Sequence, residues 1–250
     1  MVKYFQYLED TAKPGDGFQM YGRGHIIFII CIAIGIFFMI IHYFNSTDKG
    51  RLKILRVTSA VILISEIIRQ ASFVLLLPAY PFSQLPLHMC GLSIFIEIIH
   101  ALRPNKTTGE ILYALGLPGA LAALLFPNWT MYPMLSYQAI QSFVVHGLHM
   151  AFVLMPLFAL DIRPSVRNLW RPVLFLLIVT PAVYILNKQL NTNFFFLNAG
   201  SEGSPLEILI GLMGNPGFLI GYCGLLLVVW VILYLPFAIL DKPYRRKRYI

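Results

Sequence analysis

The sequence predicts an all-α membrane protein with seven transmembrane helices, the N-terminus outside and the C-terminus in the cytoplasm. Of its 250 residues, 58% are hydrophobic and only 12% are charged, whereas soluble domains carry roughly twice that share of charge. Such a chain cannot cover a water-facing surface, which excludes a soluble enzyme, a disordered protein and a nucleic-acid-binding domain. The cysteines, Cys31, Cys90 and Cys223, lie in apolar stretches and indicate no disulfide framework.

Each predicted span is a mostly apolar stretch close to the roughly 20 residues that a bilayer requires. The stretches are 26–44, 56–78, 85–102, 110–126, 137–160, 172–190 and 216–240. The fourth is the least regular because Gly116, Pro118 and Gly119 interrupt it. Membrane helices tolerate such residues where neighbouring helices or water satisfy the freed backbone groups.

The spans divide the chain into a polar N-terminal tail, 1–25, a seven-helix transmembrane domain, 26–240, and a basic cytoplasmic tail, 241–250. The first tail lacks a small-residue cleavage site, so we expect the first span to be a retained helix and not a signal peptide. The loop 191–215 is the longest polar segment between spans.

The positions of the basic residues predict the orientation. Fourteen of the 19 lysines and arginines follow spans one, three, five and seven, and four lie on the opposite side. The positive-inside rule places the richer side in the cytoplasm. The net charge of +8 therefore reflects topology and contact with anionic lipids, and no nucleic-acid partner is expected.

Ionisable residues within the spans are candidates for function because a charge inside a bilayer is costly. They are Glu66 and Arg69 in span two, His88, Glu97 and His100 in span three, and His146 and His149 in span five. A rise of 1.5 Å per residue puts Arg69 and His146 about 13 Å below the outer edge and the deeper members about 18 Å below it. We therefore expect three helices to bring these groups to one cavity that opens outward.

Spacing within the helices leaves structural alternatives open. Glu66 and Arg69 are i,i+3 neighbours that can neutralise each other, which is also what a purely structural ion pair would do. Gln138, Ser142, His146 and His149 form one stripe along span five. Such stripes also serve only as hydrogen bonds between membrane helices.

Cys90 lies at the start of a helix, directly after Pro86 and His88. A helix N-terminus and a nearby histidine both stabilise a thiolate, although a lone membrane cysteine is more often a small hydrophobic residue. A zinc site of His88, Cys90 and His146 is a geometric alternative, as is haem held by the two histidines. We predict no cofactor and no bound metal.

Several motifs resemble those of one known family. They are Leu85-Pro86-Leu87-His88-Met89-Cys90, the block 118–127, Gln141-Ser142-Phe143-Val144-Val145-His146-Gly147, Asn187 with 191–194, and Tyr234-Leu235-Pro236-Phe237. Together they resemble the YwaF-type integral membrane proteins of bacteria. That family is similar to a eukaryotic group of transmembrane acyltransferases that use a cysteine and a histidine on ether phospholipids.

The resemblance implies a multi-pass protein of a bacterial plasma membrane that acts as a lipid acyltransferase or transacylase. By position, Cys90 resembles the nucleophile, His146 the catalytic histidine and His88 a histidine with an orienting role. The chain departs from the family at Gly91, where a polar residue is common, and at Asn193-Phe194, which replaces Asn-Tyr.

The mechanism we predict is attack of the Cys90 thiolate on a phospholipid acyl ester, with His146 as the base. The acyl chain then passes to a lyso-lipid or another acceptor. A tilt or an irregular turn near Pro86 must close a depth gap of about 6 Å between the two side chains.

The remaining polar residues are predicted to bind or orient the substrate. Either Arg69 or the asparagines would hold the head-group phosphate or the oxyanion; the asparagines are Asn187, Asn191 and Asn193. Either Glu97 or Glu66 would orient a histidine, and the sequence does not choose between the two acids.

Two other classes of function remain open at this stage. Seven helices with buried His, Glu and Arg also describe a transporter or a substrate-binding membrane subunit, although no inverted repeat is visible. The third possibility is a scaffold whose polar groups only fix helix packing.

Overall fold

The computed structural model describes residues 15–201 and 203–240. The predicted basic tail, 241–250, and residues 1–14 of the N-terminal tail lie outside the described residues. Within them the fold is all-helical, as predicted. The helices are α1 (Arg23–Phe44), α2 (Asp48–Leu76), α3 (Met89–Leu102), α4 (Lys106–Leu125), α5 (Tyr137–Phe158), α6 (Trp170–Leu190), α7 (Pro205–Met213) and α8 (Phe218–Leu240).

Six of the described helices are long and apolar enough to cross a membrane: α1, α2, α4, α5, α6 and α8. The third predicted span is helical as well, but α3 has only 14 residues. Its length of about 21 Å falls short of a hydrocarbon core of about 30 Å. The predicted count of seven full-length spans therefore becomes six candidate spans and one shorter apolar helix.

Prolines explain why α3 is short. The segment between α2 and α3 contains Pro78, Pro81 and Pro86, each of which lacks a backbone N–H and disfavours a helical conformation in the residue before it. The chain makes a single 3₁₀ turn at Phe82–Gln84 and resumes as an α-helix only at Met89. The predicted span 85–102 therefore loses its first turn.

The start of α2 and the presence of α7 are two further differences from the prediction. Helix α2 begins eight residues before position 56, because the Thr47 hydroxyl caps it by accepting a hydrogen bond from the Gly50 N–H at 3.3 Å. The predicted polar loop 191–215 contains the apolar helix α7, which Ser204 caps in the same way. Short caps of this kind decide a boundary without changing the apolar pattern.

Helix α4 lies at the centre of the fold, and α4 and α5 are the most buried of the candidate spans. The interruption predicted at Gly116 is a π-helical segment, Leu112–Gly116. Within this segment the Ala114 carbonyl accepts a hydrogen bond from Trp230 Nε1 on α8 at 2.9 Å. Helices α1, α6 and α8 expose most of their apolar side chains, as lipid-facing helices do.

Polar contacts gather at the two ends of the helices. At one end, Arg51 of α2 forms an ion pair with Asp161 at 3.1 Å. At the other end lie the loops 77–88, 126–136 and 191–204, and the first and third of these meet where His88 packs against Phe194. This second end, which the basic residues predict to face outward, contains most of the candidate functional residues and is called the loop end below.

Candidate functional site

Cys90 is the second residue of α3, at the loop end. His88 is the N-cap residue of α3, yet no side-chain hydrogen bond caps the helix. The first N–H groups of a helix have no partner within it, and Cys90 lies in this first turn, at the positive end of the helix dipole. The thiol is half-buried, and a Cβ added at Gly119 of α4 would lie 3.9 Å from its Sγ. The sulfur therefore faces a residue without a side chain.

The turn before Cys90 requires the glycine that departs from the family pattern. A Cβ added at Gly91 would lie 2.7 Å from the Cα of Pro86 and closer still to its carbonyl group. Real Cβ atoms do not approach a backbone so closely. In this chain, Gly91 lets the segment with Pro86 and His88 fold tightly against the first turn of α3.

His146 of α5 is held by the backbone and by an aromatic ring. Its Nδ1 lies 2.6 Å from the carbonyl oxygen of Ser142. A carbonyl oxygen only accepts, so Nδ1 carries the proton and Nε2 keeps a lone pair that can take another. The indole of Trp129 stacks on the imidazole, with ring centroids 5.1 Å apart and planes inclined by 15°.

Glu97 pairs with His149, not with His146. The Oε1 atom of Glu97 on α3 lies 2.8 Å from Nδ1 of His149 on α5, and both side chains are almost completely buried. Glu97 Oε2 is buried and, within the described part of the chain, has no hydrogen-bond partner. The His149 ring meets the His146 ring edge to face at 6.2 Å.

The predicted neutralisation of Glu66 by Arg69 is confirmed. Arg69 Nε and Nη2 donate to the two carboxylate oxygens of Glu66, each at 2.8 Å. Arg69 also donates to the side chain and the backbone carbonyl of Gln84, at 2.9 and 3.0 Å. The pair therefore fastens the loop 77–88 to α2, and most of the guanidinium is used in doing so.

The same network reaches two more side chains. Gln70 donates to the Gln84 carbonyl at 2.8 Å, and the Tyr80 hydroxyl donates to Gln70. Burial raises the pKa of Tyr80, while the nearby Arg69 charge opposes this shift. The phenol therefore remains a hydrogen-bond donor at neutral pH.

The predicted asparagines organise the loop that follows α6. Asn187 is buried and uses its amide on Thr192 Oγ1 and on both backbone groups of Phe194, at 2.8 to 2.9 Å. Asn193 bonds the backbone of residues 198 and 199. Asn191 ends α6 in the left-handed conformation, φ 53°, and its side chain is exposed.

Two aromatic rings of this loop pack against His88. The imidazole meets Phe194 edge to face at 5.4 Å and Phe196 at 5.1 Å. Phe195 and Phe196 both have positive φ values, 58° and 56°, which bulky residues rarely adopt. The amides of Asn187 and Asn193 hold the backbone in this strained conformation.

Electrostatic interactions connect the predicted residues into one group. The His149 ring meets the His146 ring, Arg69 and His88 lie near enough for a charge on either to reach His146, and Glu97 lies near enough for its charge to reach Cys90. We call Glu66, Arg69, His88, Cys90, Glu97, His146 and His149 the polar cluster. Within the described chain no hydrogen bond joins Cys90 to His146, and Asn187 and Asn193 are engaged in their own loop.

The described residues contain no group of three His, Cys, Asp or Glu side chains that could hold a metal ion. The zinc alternative of His88, Cys90 and His146 therefore lacks a ligand set there.

The sequence did not single out Trp129, the Ser142 carbonyl or Gln84, all of which contact predicted residues. Trp129 and Gln84 lie in loops, where periodicity gives no signal. A carbonyl at i−4 from a helical histidine is the one contact of these that spacing could have indicated.

Comparison with known proteins gives one match. The model of the TMEM164 family, a transmembrane protein family, matches residues 20–234. No curated protein and no solved structure matches the chain. The matched range includes every residue of the polar cluster.

Proposed function

The chain belongs to the TMEM164 family, and from its sequence motifs and its polar cluster we propose that it is a membrane-embedded lipid acyltransferase or transacylase using Cys90 and His146. One observation carries the proposal. A cysteine at the uncapped N-terminus of α3 belongs to the same polar cluster as an imidazole whose Nε2 is free to take a proton. The finer assignment to the YwaF-type bacterial proteins, and to a bacterial plasma membrane, belongs to the same proposal and rests on the sequence motifs.

The first half-reaction forms a thioester. His146 Nε2 takes the thiol proton as Cys90 Sγ attacks the carbonyl carbon of a phospholipid acyl ester. The C–O bond breaks, and the lyso-lipid oxygen leaves with the proton from His146. The orphan N–H groups at the start of α3 are donors for the developing oxyanion.

The second half-reaction transfers the acyl chain from Cys90 to the acceptor. An acceptor hydroxyl attacks the thioester carbon while His146 Nε2 takes the hydroxyl proton. The C–S bond breaks, and the sulfur regains the proton from His146. The acyl chain is then on the acceptor, and Cys90 is again a thiol.

The other predicted residues support this chemistry in different ways. Arg69 has one Nη1 hydrogen beyond the bonds described, so it can meet a head-group phosphate while it holds the loop 77–88. The exposed Asn191, in the loop after α6, can also bind a head-group phosphate. Asn187 and Asn193 position the aromatic rings that orient His88.

Glu97 orients His149, whose ring in turn meets the His146 ring edge to face. Glu66 instead fixes Arg69. This division supports Glu97 as the acid that orients a histidine. Neither carboxylate contacts His146, so the backbone carbonyl of Ser142 takes the orienting place that a carboxylate has in a catalytic triad.

The orientation of the site belongs to the proposal too. We propose that α3 is inserted with its N-terminus toward the outer leaflet, so that the chain passes the membrane seven times. The loop end then faces outward, and lipids reach Cys90 laterally from that leaflet. The basic residues support this arrangement.

Acyl transfer in vesicles tests the proposal. The purified chain is placed in vesicles that contain a phospholipid with an isotope-labelled acyl chain and a lyso-phospholipid acceptor, and labelled product is measured by mass spectrometry. Cys90→Ala should abolish transfer, and His146→Ala should slow it by about 10²- to 10⁴-fold. The control Cys223→Ala replaces an exposed cysteine on α8 and should transfer normally. Undiminished transfer by a folded Cys90→Ala variant would contradict the proposal.

A further inference from the structure

The surroundings of His146 oppose the positive charge that it must carry during the reaction. The ionisable groups that act on its ring are Arg69 from α2, His88 from the segment before α3, and His149 from α5 itself. Arg69 is already paired with Glu66, and none of the three is a carboxylate that could neutralise an imidazolium at His146. Glu97 of α3 is hydrogen-bonded to His149. An imidazolium at His146 therefore needs another source of stabilisation.

Trp129 lies where it can stabilise an imidazolium at His146. The indole lies face to face with the His146 imidazole, at a centroid separation of 5.1 Å and an angle of 15°. A cation is attracted by the negative face of an aromatic ring within about 6 Å, and tryptophan gives the strongest interaction of this kind. The indole is 7% exposed, and burial strengthens the attraction because less water competes.

The surrounding residues fix the position of the indole. The indole and the buried Phe143 ring pack edge to face at 5.5 Å. The backbone carbonyl of Trp129 accepts a hydrogen bond from the Tyr132 N–H at 3.2 Å. The next residue, Thr130, accepts the Phe18 N–H at 2.9 Å. Three separate contacts therefore hold the segment 129–130 on α5 and on the chain before α1, so the stacking does not depend on a mobile side chain.

We infer that Trp129 is a positioning residue for acyl transfer, which holds the His146 ring and stabilises its imidazolium by stacking. The inference rests on the proposed function, because it concerns the proton that His146 takes from Cys90. Trp129 and the Ser142 carbonyl would together replace the carboxylate of a catalytic triad. The carbonyl fixes Nδ1 and the indole offsets the charge.

The alkylation rate of Cys90 by iodoacetamide at pH 7 tests this inference without any lipid substrate. Cys31 and Cys223 are first replaced by alanine, so that Cys90 alone reacts. Trp129→Leu should lower the rate roughly 2- to 30-fold, the range of a partly desolvated cation–π contact. Trp129→Tyr keeps an aromatic face and should fall between the wild type and Trp129→Leu. Trp170→Phe, at an exposed tryptophan, is the matched control and should react as the wild type does.

A double-variant cycle separates this role from a merely structural one. If Trp129 acts through His146, Trp129→Leu should change nothing further in a His146→Ala background. Equal losses in both backgrounds, or a Trp129→Leu variant as fast as the wild type, would overturn the inference and leave the Cys90–His146 pair standing. A His146→Ala variant as fast as the wild type would overturn both the inference and the proposed pair. Thermal unfolding of each variant identifies losses of alkylation rate that come from misfolding. If Trp129→Leu misfolds, the alkylation rate of Trp129→Tyr is used to test the inference instead.

Discussion

Glu97 and His149 form a buried pair whose energetics can be tested at single residues. Removing one partner of a buried hydrogen bond leaves the other unsatisfied, which costs about 1–3 kcal/mol. Glu97→Leu should therefore lower the free energy of unfolding by that amount, whereas Glu97→Gln, which keeps an acceptor oxygen, should cost less. The double variant Glu97→Leu with His149→Leu should recover much of the loss, because both polar groups are then absent. Losses that simply add, as measured by unfolding in detergent, would show that the two side chains do not interact.

Contacts between side chains of one helix were predictable, because their spacing along the helix alone decides which of them meet. The i,i+3 spacing of Glu66 and Arg69 predicted their pairing, which the structure confirms. The partner of Glu97 was not predictable in this way, because it lies on another helix and the rotation of α3 against α5 is not encoded in either periodicity. Trp129 was missed for a related reason, since its position depends on how a loop folds over α5.

At the scale of elements, the turn between Pro86 and α3 sets the position of the thiol. An alanine at Gly91 brings its Cβ into the Pro86 backbone, so the turn must open or α3 must shift. We expect Gly91→Ala to cost about 1–3 kcal/mol of unfolding free energy, as overpacking usually does, and to reduce Cys90 alkylation. Gly224→Ala on α8 meets open space and should be neutral or slightly stabilising, because alanine favours a helix over glycine. Equal stability of the two variants would contradict the tight turn.

The apolar pattern predicted the seven main helices but not their ends. Each predicted stretch overlaps a described helix, because an apolar run of this length has few alternatives in a membrane. The ends depend on local features. Thr47 extends α2 by two turns beyond the apolar run, and Pro86 shortens α3. Helix α7 was not predicted, because it has only nine residues and follows a polar stretch.

At the scale of the whole molecule, the proposed function requires the loop end to face outward. Single cysteines are introduced at Asn128 and at Arg167, both exposed and at opposite ends of α5, in a chain whose three native cysteines are alanine. A membrane-impermeant maleimide should label Asn128→Cys in intact cells and Arg167→Cys only after permeabilisation. The reverse pattern would contradict the positive-inside assignment.

The central claim is that Cys90 carries the acyl chain, and intact-protein mass spectrometry tests it most directly. The wild type and Cys90→Ala are incubated side by side with mixed phospholipids and no added acceptor, then quenched in acid. We predict an added acyl mass on the wild type alone, which hydroxylamine removes because a thioester is cleaved by it. An acyl mass of equal abundance on Cys90→Ala, or one that survives hydroxylamine, would contradict a thioester at Cys90.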